Sequence, residues 1–200
     1  MRIRAVGLFF LGTVSLMGTA DSAPSAGRDA AIAGPSYPAL PAQVAPGPRA
    51  QPWPANAFER RAEALIAAGI NDQRARYAAG APSIATNPIL TEIAEQRSRD
   101  MAAGAAFSHT DDQGRFIAAD LVRAQMGTYG AIGENIMMQG GSRNLDAAAF
   151  ARTAVEGWMQ SPGHRRNILD PDYDSSGMGV AVAGDRIYAT QVFWGPAKAD

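Results

Sequence analysis

Only two histidines occur in this 200-residue chain, and each stands in a marked string. His109 lies in Phe107-Ser108-His109-Thr110-Asp111. His164 lies in Ser161-Pro162-Gly163-His164-Arg165-Arg166-Asn167-Ile168-Leu169. Between them come two acids, Glu134 in Gly133-Glu134-Asn135-Ile136 and Glu156 in Glu156-Gly157-Trp158. Two imidazoles and two carboxylates that converge make a cation site or an acid/base site. Neutral imidazoles suit Zn²⁺ or another divalent cation, with an acid as a direct ligand or orienting a histidine from behind. A metal-bound water with Glu134 or Glu156 as general base would be hydrolytic.

Local pattern decides part of whether they converge. Ile132, Glu134, Ile136 and Met138 alternate with Gly133, Asn135 and Met137, which reads as a strand. Glu134 then shares the more apolar face. Burying a lone carboxylate costs several kcal/mol unless it is paired, protonated or bound to a cation. Glu156 is less decided. A helix over about 145–160 is apolar on both flanks, so Glu156 either faces a cavity or pairs with Arg152 one turn earlier, worth a few tenths of a kcal/mol. His109 also suits a structural place after a helix, and His164 a bond to a nearby carbonyl. Ser161 reads as a helix cap rather than a nucleophile. Arg165 and Arg166 read as a solvated edge, and Trp158, Phe193 and Trp194 as core.

The elements that must position these residues are legible at coarse grain. Asn56 caps a first helix with Phe58, Ala62, Leu65, Ile66, Ile70 and Tyr77 at helical spacing. Asn87-Pro88 starts a second helix with a stripe of Leu90, Ile93, Ala94 and Met101, ending near Gly104. A weaker helix covers about 115–125. Two alternating runs, Met178-Val180-Val182 and Tyr188-Thr190-Val192-Trp194, flank Gly184-Asp185 as a hairpin. Helices that precede and interleave with a small antiparallel sheet make an α+β chain.

Composition narrows the function classes. Net charge is −1 and the basic residues are scattered, which argues against nucleic acid. There is no cysteine, so there is no thiol nucleophile, disulfide or lipidated cysteine anchor. Residues 1–20 read as a secretory signal peptide: Arg2 and Arg4, then an apolar stretch from Ala5 to Met17, then Gly18-Thr19-Ala20. That stretch is too short for a bilayer span of ~20 residues, and no transmembrane segment is expected after cleavage; an uncleaved signal anchor is the competing reading. Residues 21–55 are rich in Ala, Pro, Gly and Ser and read as a disordered tether. Residues 56–200 form the domain.

These strings, in this order, resemble the CAP superfamily, which joins cysteine-rich secretory proteins, antigen 5 and pathogenesis-related proteins. The resemblance runs over about 58–194 through Asn71 and Arg74, Asn87 and Leu90, Met101, Phe107-Ser108-His109, Gly133-Glu134-Asn135-Ile136, Trp158, the Ser161–Leu169 run, Gly177-Met178-Gly179-Val180 and Gln191-Val192-Phe193. It implies an α-β-α sandwich and a central cavity lined by His109, Glu134, Glu156 and His164. The lack of cysteine is similar to the compact bacterial branch. The resemblance implies export to the periplasm or beyond, and ligands such as lipids or proteins. The leading expectation is therefore a secreted or periplasmic domain that binds a cation and a small lipid or cell-envelope ligand. A metal-dependent hydrolase built on the same four residues is the alternative.

Overall fold

The computed structural model describes residues 55–78, 80–141 and 146–197, and residues 2–10 by their backbone. The tether and the second half of the expected leader lie outside the described residues.

Among the described residues, five helices and five strands follow the order β1 (Arg2–Phe10), α1 (Ala57–Tyr77), β2 (Ala85–Thr86), α2 (Pro88–Ala102), α3 (Ile117–Met126), β3 (Ala131–Gln139), α4 (Ala147–Gln160), α5 (Pro162–Leu169), β4 (Ser175–Ala183) and β5 (Arg186–Gly195). The helix starts are set by short polar side chains. Asn56 accepts from the Glu59 amide while Glu59 reaches back to the Asn56 amide, a complete capping box. Asn87 accepts from the amides of Ile89 and Leu90, with Pro88 opening α2. Asp146 caps α4 through the amides of Ala148 and Ala149, and those bonds hold its carboxyl below the usual range.

The sheet runs β1-β3-β5-β4-β2. Its centre is antiparallel: β3 pairs with β5, and β4 pairs with β5 across the hairpin at Gly184-Asp185. Both flanks are parallel, with β1 beside β3 and β2 beside β4, so the sheet is mixed rather than purely antiparallel. Cleavage of a leader near Ala20 would take β1 away and leave β3 bonded to β5 alone.

Helices cover both faces, completing an α-β-α sandwich. On one face Ala131 and Met137 of β3, Met178 and Val180 of β4 and Phe193 of β5 pack against Ile66 and Ile70 of α1, Phe150 and Trp158 of α4 and Ile168 of α5. On the other, Ile132 and Val192 meet Leu90, Ile93 and Ala94 of α2 and Ala118 and Val122 of α3. The α2 contact is unusually close. A Cβ on Gly177 would lie 2.0 Å from the Leu90 carbonyl carbon, and one on Gly179 2.2 Å from that of Ala94.

Helix α1 also finishes the β4 side of the sheet. β2 covers β4 only at Ser175 and Ser176. Beyond it, the Val180 amide donates to Glu63 Oε1 at 2.9 Å and the Val182 amide to Glu59 Oε1 at 3.1 Å. Four residues of helix rise ~6 Å and two of strand ~6.7 Å, so the two carboxylates match alternate strand amides. They blunt an edge that would otherwise invite strand pairing. Burial, reinforced by Glu95 and Glu59, raises the Glu63 carboxyl from its ordinary 4.5 to about 7, against the opposing pull of the Val180 amide and Arg99. A raised folded-state value gives stability that is full below 4.5 and is lost as pH rises through about 7. Glu63→Gln is therefore expected to flatten the fall in melting temperature between about pH 5 and pH 8. Equal slopes in thermal unfolding of the two proteins would refute the assignment.

Candidate functional site

Glu134 sits mid-strand in β3 and is fully buried. Period two turns its side chain to the α2 face, beside Ile132 and Ile136. There it meets Arg97, which α2 carries in the same stripe as Ile93, Ala94 and Met101. Arg97 Nε donates to Glu134 Oε2 at 2.9 Å and Nη2 to Oε1 at 3.4 Å. The pair is almost sealed, with side-chain exposures of 2% and 0%. His109 Nδ1 lies 2.7 Å from Glu134 Oε1.

A carboxylate accepts, so Nδ1 carries the proton of that bond, and in the neutral tautomer Nε2 would carry the lone pair. Nε2 is buried and has no hydrogen-bond partner among the described residues. Phe116 stands edge-on to the imidazole at 6.3 Å. The loop is fixed on both sides of the ring. Arg97 Nη2 donates to the Ser108 carbonyl at 2.5 Å, and the Ile117 amide donates to the His109 carbonyl. Asp111 gathers the amides of Gln113 and Arg115 and the Arg115 guanidinium. Those bonds, the Arg115 amide first, pull its carboxyl below the usual range.

The other two expected residues stand on α5 and α4, with different neighbours. His164 is fully buried, but α5 packs on the opposite face of the sheet. Asn135, the residue after Glu134, points to that side: its Nδ2 donates to the His164 carbonyl at 3.3 Å, and Asn167 Nδ2 donates to Asn135 Oδ1 at 2.8 Å. Asn167 also reaches the Glu134 carbonyl at 3.3 Å. Adjacent residues of one strand point to opposite faces, so helix α5 and the Glu134 carboxylate lie on opposite faces of the sheet. Glu156 lies on the exposed side of α4 and lines a groove against α1. It forms no acid/base pair with Glu134. The structure brings together His109 and Glu134 and adds Arg97.

The residues do not fit a divalent cation in the expected way. Both Glu134 oxygens already accept from cationic or imidazole N–H groups, which leaves His109 Nε2 as a single open donor. Zinc sites take three or four protein ligands. Among the described residues no three of His, Asp or Glu are grouped to hold a metal.

The signature around His164 has a structural reading. α5 turns His164, Asn167 and Ile168 inward, while Arg165 stacks its guanidinium 4.9 Å over the ring of Tyr77 at the end of α1. Arg74 completes the dock. Fully buried, it donates from Nε to the Pro82 carbonyl and from its two Nη atoms to those of Ile168, Asp170 and Tyr173.

Comparison with known proteins agrees with this architecture. The sequence pattern of CAP, the Cysteine-rich secretory protein family, matches residues 69–194. The chain belongs to that family. A solved structure of an extracellular protein containing a SCP domain from Bacillus anthracis str. Ames is 28% identical, with a TM-score of 0.54 over 68% of this chain and 41% of that one. The cysteine-rich secretory protein SAV1118 of Staphylococcus aureus shares the fold at 19% identity and TM-score 0.52, over 72% of this chain and 40% of its own. NaASP2, solved with Zn²⁺, shares the fold at 16% identity and TM-score 0.51, over 70% and 82% of the two chains. An uncharacterized membrane protein of Bacillus subtilis (strain 168), YlbC, is 36% identical over 102 residues, 51% of this chain. The chain spans only 26% of that relative's length. Among the described residues of this CAP chain, no helix is long and apolar enough to cross a membrane.

The groove that takes Glu156 has room for a ligand. α1 and α4 enclose about 240 Å³. Leu65, Gly69, Ala148, Ala151 and Val155 form its floor, and Asp72, Arg76, Arg152 and Glu156 its rim.

Proposed function

We propose that this protein is an exported CAP domain that binds a small amphipathic ligand of lipid or cell-envelope origin between α1 and α4. The observation that carries this reading is the groove itself, with an apolar floor beneath two arginines and two acids. Ligand sites combine apolar lining with a few placed polar groups in just this way. At about 240 Å³ it lies below the ~300–1,000 Å³ of sites for drug-sized ligands, which suits one acyl segment or one head group. The expected leader, and the likeness to an extracellular protein of Bacillus anthracis, support export. Hydrolysis by the four residues together would need them on one side of the sheet. Their separation favours binding.

The test is titration of a fluorescent fatty-acid analogue into the chain, its Ala148→Trp variant and its His109→Ala variant. Expected are saturable binding to the parent, at least roughly tenfold weaker binding to the Trp variant (about 1.4 kcal/mol) and unchanged affinity in the His variant. No saturable binding, or full affinity with Trp in the groove, would refute the reading.

A further inference from the structure

Two histidines and two acids raise the expectation of a divalent cation, yet the donor set here does not accommodate one. We infer that Arg97 is itself the cation of this site, a built-in counter-charge that closes Glu134 to metal. Three observations converge on it.

Arg97 is the group that neutralises Glu134 from α2. Its Nε and Nη2 face the two carboxylate oxygens at 2.9 and 3.4 Å. A guanidinium is always charged, and its planar fork matches a carboxylate. Its burial is nearly complete, so the partnership is obligatory. Removing either member strands a charge in the core.

The same guanidinium organises the neighbouring loop. Nη2 also reaches the Ser108 carbonyl, one residue before His109, and Glu134 Oε1 holds His109 Nδ1 at 2.7 Å. Bridging a carboxylate and orienting a histidine loop is what a structural ion does in a metal site. Here a side chain of α2 does both.

Lastly, the place is incompatible with a second cation. A metal on either Glu134 oxygen would lie within a few ångströms of the guanidinium, where like charges repel strongly in a dry interior. Arg97 must leave before a metal can enter.

The experiment is thermal unfolding of the chain, of Arg97→Met and of Arg97→Met/Glu134→Gln, each with EDTA and with added Zn²⁺. The parent is expected to melt at one temperature in both. Arg97→Met is expected to melt roughly 10 °C lower or not to fold. The double variant, with neither charge, is expected to fold and recover much of that loss. Zn²⁺ should leave the midpoint of the parent unchanged. Two results would overturn the inference. One is a parent midpoint raised saturably by Zn²⁺ and lowered again by EDTA. The other is an Arg97→Met variant no less stable than the double variant.

Discussion

Glu134→Ala is expected to destabilise the fold by about 3–5 kcal/mol, while Glu156→Ala changes stability by no more than about 0.5 kcal/mol. Both are glutamates in the family signature, and a convergent tetrad would make them comparable. The structure makes them opposites. Truncating Glu134 leaves the Arg97 guanidinium buried without its carboxylate and releases His109. Water cannot repair this readily, because Glu134 has no exposed surface. Glu156 stands in solvent at the rim of the α1–α4 groove, and its removal strands nothing. In a domain of this size the first change should lower the melting temperature by roughly 10 °C or more. Chemical denaturation of both variants reads the difference directly. Comparable losses in the two would place Glu156 in the buried site after all.

Gly179→Ala is expected to cost more than about 3 kcal/mol, beyond the 1–3 kcal/mol usual for overpacking. The added methyl would meet backbone, not a side chain that can swing aside. Its carbon would lie 2.2 Å from the Ala94 carbonyl carbon, 2.2 Å from the Glu95 nitrogen and 2.3 Å from the Ala94 oxygen. Helix α2 would have to lift from β4. That would break the bond from the Ser98 hydroxyl to the Gly179 carbonyl, 2.8 Å, and the 2.9 Å contact of Ser98 with Thr190. It would also draw Arg97, the residue before Ser98 on the helix, away from Glu134. The control is Gly140→Ala, where nothing lies within 4 Å of the added carbon. A Gly179→Ala protein as stable as the control would show that α2 tolerates a wider spacing.

Much of the fold was legible because its signals are local. Asn56, Asn87-Pro88 and the Gly184-Asp185 turn each act within a few residues, and α1, α2 and the hairpin stand where they point. The burial of Glu134 was legible for the same reason, since period two alone puts it with Ile132 and Ile136. The parallel flanks were not. β2 is two residues long, too short for any periodicity, and β1 lies within the segment read as a leader. Residue 145, the expected start of α4, lies outside the described residues, and the helix is described from Ala147.

The site was half legible. A helix apolar on both flanks cannot say which way Glu156 turns, and the family resemblance then placed it in the cavity. The face of the sheet on which α5 docks is a tertiary fact, invisible in the spacing of His164 and Asn167. Arg97 was missed although a signal existed. It falls four residues after Ile93 and four before Met101, inside the stripe read as core, and an arginine in such a stripe demands a buried acid. The one buried acid that the sequence had singled out was Glu134.

The division of the four residues by the sheet is tested most directly by calorimetric titration of Zn²⁺ into the chain, beside the His109→Ala and His164→Ala variants. Expected is no saturable site that both substitutions abolish, because α5 and the His109 loop pack on opposite faces of the sheet. One-to-one binding to the parent, lost equally in each single variant, would show that the histidines share an ion and would contradict the arrangement described.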